Sequence, residues 1–295
     1  MRLVFFLMFI SGLVLPQDKA PFKQFDQVNK NEYTLQKKAI VQSKSAVLEK
    51  INLRLRLASK YKAQDDLIAA LKDKIELQGE SAQLRYLLGG ANGIKALQVN
   101  KMFSIPYVKA MLYNFERSLA LDSTYIPALE AYIESLCMVP SLLGGDIEKA
   151  KRLAKDLLAL DEVQGHFAFG FIAKAEEEEE RAKAHYSKAL KQLEKNLFCS
   201  QELKKYFAPF SMNYPYKIAE KSLEYQQAFE VGQCSIEYFI AQHTPFYNLP
   251  LEWAHYQNAQ LLYALGKIKA ATFAIKESLE INPAFELAKK WQRNL

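Results

Sequence analysis

The sequence predicts an all-α chain built from stacked helical hairpins, and three observations carry that expectation. Breakers are scarce, with 11 Gly and 10 Pro in 295 residues, far fewer than turn-dense β folds need. The prolines beyond residue 100 punctuate long Pro-free runs whose apolar residues recur at helical spacing, so each is expected to start or end a helix. Short phrases also recur where helices should end: Ser118-Leu119-Ala120-Leu121-Asp122-Ser123, Leu157-Leu158-Ala159-Leu160-Asp161-Glu162 and Ser278-Leu279-Glu280-Ile281-Asn282-Pro283. Such recurrence marks an internally repeated fold.

The chain opens with Arg2 and an apolar run from Leu3 to Leu15, relieved only by Ser11 and Gly12. The run is too short to span a bilayer comfortably but suits the core of a secretory signal peptide. Residues 1–16 are therefore expected to be an export signal, and the mature chain to lie outside the cytoplasm, in a bacterial periplasm. No later stretch reaches 18 apolar residues, so no membrane span is expected in the mature chain. Residues 17–64 read as an N-terminal helical segment, in which Ile40, Val47, Ile51, Leu55 and Ala58 form one apolar stripe. Residues 65–77 read as the second helix of a degenerate unit.

A repeated region then covers 65–295. The unit near 82–123 carries Gly89 at a helix crossing, with Phe115 and Ser118 in its second helix, and is lengthened around Asn92 to Ser104. In the unit near 126–162, Pro127 suits the first helical turn behind Asp122, Ser123 and Thr124, with Leu129, Ile133 and Leu136 on one face. This unit carries a five-residue insertion at Met138 to Asp146. The unit near 163–194 shows Gly170, Ala182, Tyr186 and Ala189, and the unit near 252–285 shows Ala259, Gly266, Ala271, Ser278 and Pro283. Residues 195–251 read as irregular helices that lose the register, their Tyr206, Phe207, Phe210, Tyr214 and Tyr216 serving as packing aromatics.

The phrases Gly170-Ala182-Tyr186-Ala189 and Ala259-Gly266-Ala271-Ser278-Pro283 resemble the tetratricopeptide repeat family, exported bacterial type, whose period is about 34 residues. The resemblance implies a helical-hairpin solenoid with irregular inserts, whose first helices line a concave surface for a protein or peptide partner. The physical basis is separate from the name: a single hairpin cannot bury its apolar face, and stacking makes those faces one core. With His255, Ala259 and Leu262 assigned to the core of the last unit, Trp253, Tyr256, Gln260 and Tyr263 fall on one stripe of its first helix. The matching stripes are Phe167, Phe171 and Lys174 in the 163–194 unit, and Glu130 and Glu134 in the Pro127 unit. Aromatics with polar tips suit a peptide ligand. The expected function is a non-enzymatic interaction module of the cell envelope, the alternative being an architectural subunit of an envelope or outer-membrane assembly.

Other functions lack their residues. The net charge of +6 is spread along the chain, a poor footprint for nucleic acid. No His-Glu-x-x-His, Gly-x-Ser-x-Gly or complete phosphate loop occurs. His166, His185, His243 and His255 are nowhere at ligand spacing in the sequence, so no metal, cofactor or catalytic residue is expected. The five carboxylates Glu176 to Glu180 read as a solvated inter-helix turn. Cys137, Cys199 and Cys234 fall in separate units and are expected to be free thiols.

Overall fold

A computed structural model of the chain describes residues 27–196, 213–243 and 249–293. Among them the regular structure is helical, fourteen α-helices and one 3-10 turn, grouped in two compact units, Met1–Leu160 and Asp161–Leu295. The expected export signal lies outside the described residues, as do Cys199, Tyr206, Phe207 and Phe210.

The first unit begins with α1 (Gln27–Gln42) and continues with three hairpins: α2 (Val47–Lys60) and α3 (Gln64–Gln78), α4 (Ala82–Gln98) and α5 (Lys101–Leu121), α6 (Ile126–Met138) and α7 (Ile147–Leu160). The second unit holds α8 (Glu162–Ala175) and α9 (Glu179–Asn196), α10 (Asn213–Tyr225) and α11 (Phe229–Gln242), α12 (Leu251–Ala264) and α13 (Ile268–Ile281), followed by α14 (Glu286–Gln292). Within each unit consecutive helices pack together, and first helices of neighbouring hairpins also meet, α4 with α6 and α10 with α12. That second contact makes a stack rather than separate hairpins.

Local chemistry sets the helix ends. Ser81 Oγ accepts from the Leu84 amide at 3.2 Å, and Asp161 Oδ1 from the Gln164 amide at 2.8 Å, each satisfying a free donor of the first turn. Pro127 occupies the first turn of α6. Pro106 departs from the expectation, because it lies inside α5. The bond it forgoes belongs to the carbonyl of Met102, a residue so exposed that water can serve it.

Size matching sets the crossings. A Cβ added at Gly89 would stand 2.6 Å from the Phe115 ring, and one at Gly170 2.8 Å from the Tyr186 ring. Where the second helix presents an aromatic, the first helix needs glycine. In α12 and α13 the facing residue is Ile275, and Ala259 fits beside it in one core cluster.

Four hairpins share one turn. Just beyond the end of the first helix one residue adopts positive φ (Lys62 55°, Glu177 64°, Gln226 52°, Gly266 73°). The next amide then reaches back to the helix: Ala63 to the Ala58 carbonyl at 2.8 Å, Glu178 to Ala173 at 2.8 Å, Gln227 to Ser222 at 3.1 Å and Lys267 to Leu262 at 2.9 Å. This is the Schellman closure, and it occupies carbonyls that the helix end leaves without donors.

Two expectations are revised. The described part of 195–251 is not irregular: it holds the hairpin α10–α11, and Tyr214 and Tyr216 are fully buried in it. Its crossing is inverted, with Gly232 on the second helix and Ser222 on the first, where an added Cβ would lie 2.7 Å away. The small-residue pattern therefore cannot be found in its usual place. Cys234 is disulfide-bonded, whereas Cys137 is not. The insertion before α7 is a connection of eight residues between Met138 and Ile147, holding the 3-10 turn and Gly144 at φ 106°.

Candidate interaction face

The first helices of the second unit carry an ionic ladder of which the sequence stripes contain Lys174 alone. Lys174, near the end of α8, pairs with Glu224 of α10 and lies 3.9 Å from Glu179. Lys221 is 2.7 Å from Glu224 and 3.8 Å from Glu220, and its Nζ sits 5.1 Å from the centre of the Tyr186 ring. Burial pushes the Glu220 carboxyl up to about 7, against the pull of Lys221. Burial alone would depress Lys221, but Glu220 and Glu224 hold it above its ordinary value. For Glu224 burial acts upward and is outweighed by Lys221 and Lys174, which leave it lowered. Thus one acid of the ladder is permanently charged near neutrality while its neighbour is poised to titrate.

Orphaned polar atoms gather on the same helices. In the second unit, the described buried side-chain polar atoms that lack a hydrogen bond lie on α8, α10 and α12, apart from one in the Gln227 turn. They include both amide atoms of Gln164, the Tyr216 hydroxyl, one Glu220 oxygen, Gln257 Oε1 and Asn258 Oδ1. Burial drives the Tyr216 hydroxyl well above its usual range, reinforced by Glu220 and Glu252. Buried groups without partners cost about 1–3 kcal/mol each, so their confinement to first helices sets that face apart from the second helices.

The predicted residues divide. Phe167 is 7% exposed and meets Tyr186 and Tyr214 edge-on, which makes it core. Phe171 and Lys174 are half-buried. Trp253 and Tyr256 are half-buried beneath the C-terminal segment, their ring centres 4.7 Å and 5.4 Å from that of Phe285. Tyr256 also meets Trp291 of α14. Gln260 Nε2 donates to the Tyr256 hydroxyl at 3.3 Å. Tyr263 touches Trp291 but stays 49% exposed. In the first unit Glu130 and Glu134 are half-buried on α6.

The hairpin α8–α9 also brings together two histidines that are far apart in the sequence. The Nδ1 atoms of His166 and His185 lie 3.1 Å apart, and Phe169 stacks on His185. Burial, then His166, Lys188 and Arg181, push His185 down to about 4. No group of three or more His, Cys, Asp or Glu side chains that could hold a metal occurs among the described residues. At the Glu176–Glu178 turn, Arg181 pairs with Glu176 at 2.5 Å and also engages Glu178. No described helix is long and apolar enough to cross a membrane.

No family model matches the chain, and no curated protein matches it. Among solved structures it is similar to a tetratricopeptide repeat protein from Parabacteroides merdae, at 8% identity over 90% of this chain and 93% of that one, with a TM-score of 0.44. The crossings, Schellman turns and contacts between first helices described above are those of an all-α, tetratricopeptide-like helical repeat.

Proposed function

We propose that the chain is a non-enzymatic protein-interaction module of the cell envelope, which takes an extended protein or peptide segment on the first helices of its second unit. The observation that carries this reading is that the described unpartnered buried polar atoms of the second unit lie, apart from one at Gln227, on α8, α10 and α12, next to the Lys174–Glu224–Lys221 ladder. A peptide brings backbone donors and acceptors at regular intervals, and amides such as Gln164, Gln257 and Asn258 suit them without demanding one sequence. The apolar run Leu3 to Leu15, read as an export signal, and the disulfide at Cys234 support an oxidising compartment.

The test is photocrosslinking in the native envelope, from a benzoylphenylalanine placed either at Tyr263 on a first helix or at Phe273 on a second helix. Both sites are exposed, at 49% and 63%. An adduct of one defined mass at Tyr263 and none at Phe273 is expected. Equal adducts at both, or only at Phe273, would remove the first-helix face from consideration.

A further inference from the structure

The α4–α5 hairpin is longer than its neighbours, and all its extra length lies beyond the crossing. Gly89 meets Phe115, 26 positions later, whereas Gly170 meets Tyr186, 16 positions later. The ten additional residues extend each helix by about five, or roughly 7 Å at 1.5 Å per residue. The tip so formed is apolar on its α5 side, where Met102 is 84% exposed and Phe103 67%. Ile105 and Pro106 continue the exposed surface.

Along the chain, the charge that leads into and out of this tip has one sign. From Ser81 to Phe115 there is no Asp or Glu, in a chain that carries 33 of them, while Arg85, Lys95, Lys101 and Lys109 are present. Arg85 and Lys95 are engaged by Glu80 and Asp65 at the flanks. Lys101 and Lys109 are exposed on either side of Met102 and Phe103, with no ion pair among the described residues.

We infer that the α4–α5 tip docks on an anionic lipid surface, Met102 and Phe103 entering the acyl boundary while Lys101 and Lys109 hold the headgroups. A convex point with two large apolar side chains has no pocket of its own to fill and fits a deformable apolar layer. Two exposed lysines on a segment that carries no acid of its own match a negative leaflet, which attracts each nearby lysine and falls off within a Debye length. Exposed Met and Phe gain by leaving water, and basic neighbours keep the contact at the interface rather than across it.

The apolar N-terminal run would itself bind lipid, so the readout must come from the tip. The full chain and its Phe103→Trp variant are mixed with vesicles of phosphatidylcholine containing phosphatidylglycerol, and the tryptophan emission added by the substitution is taken as the difference. That added emission is expected to shift to shorter wavelength and to be quenched by lipids brominated near the headgroup. The effect should disappear with phosphatidylcholine alone, and Lys101→Gln with Lys109→Gln should weaken it about tenfold or more. Vesicle binding without change in the added emission would mean that another segment binds lipid, and the inference would fall. No response with any vesicle would overturn it as well, and would leave an acidic protein as the surface to test next.

Discussion

Glu220 and His185 give the second unit two opposed responses to pH, and each can be isolated by one substitution. For Glu220 the folded value lies near 7, above the ordinary 4.5, because burial disfavours the carboxylate. Its stabilising contribution is therefore complete below about pH 4.5 and is lost as pH rises through 7. Glu220→Gln keeps the neutral form, so it should melt several degrees above the parent at pH 8 and close to it at pH 4.5, as read by circular dichroism. His185 runs the other way. Its folded value of about 4 lies below the ordinary 6.5, so its contribution is complete above 6.5 and is lost as pH falls through 4. Its NMR titration should have a midpoint near 4, and a midpoint near 6.5 would show that the His166–His185 contact is open in solution. Neither residue stood out in the sequence. The α10 register was hidden by its inverted crossing, and the His pair forms across a hairpin between residues 19 apart.

The helix crossings and the turns between helices both call for glycine, and the chain supplies it at the Gly89 and Gly170 crossings but at only one of the four Schellman turns, Gly266. Gly170→Ala puts a Cβ 2.8 Å from a buried ring and should cost about 1–3 kcal/mol in denaturant unfolding. Glu177→Gly should instead stabilise by about 1 kcal/mol. A β-carbon is strained at φ 64°, and the Schellman bonds of that turn use only backbone. If both variants proved neutral, the crossing and the turn would be looser than described. The crossings were legible because Gly89 with Phe115 and Gly170 with Tyr186 are chemical requirements written into the sequence. The turns at Lys62, Glu177 and Gln226 were not, since ordinary residues stand where glycine would be the signal. The stripe on α12 was legible as a stripe, but its cover was not: Phe285 and Trp291 come after Pro283, the last residue of the repeat pattern, and take up the faces of Trp253 and Tyr256.

At the scale of the whole molecule, two compact units share one chain, and a stack of hairpins communicates stability mainly between neighbours. Cys234 lies on α11, whose neighbours α10 and α12 carry the ionic ladder and most of the orphaned polar atoms. Its disulfide, which has no counterpart at Cys137 of the first unit, therefore stiffens the part of the molecule with the largest polar cost. Natural disulfides contribute about 2–4 kcal/mol, and in a stack that contribution should be felt locally. Hydrogen exchange with and without a reductant provides the check. Reduction should speed exchange in α10, α11 and α12, while α4 to α7 keep their protection. Loss of protection across both units would mean that they unfold as one. No loss anywhere would mean that the ordering of α10–α12 comes from packing alone, as at Tyr216 and Phe239, whose rings meet edge-on at 5.3 Å.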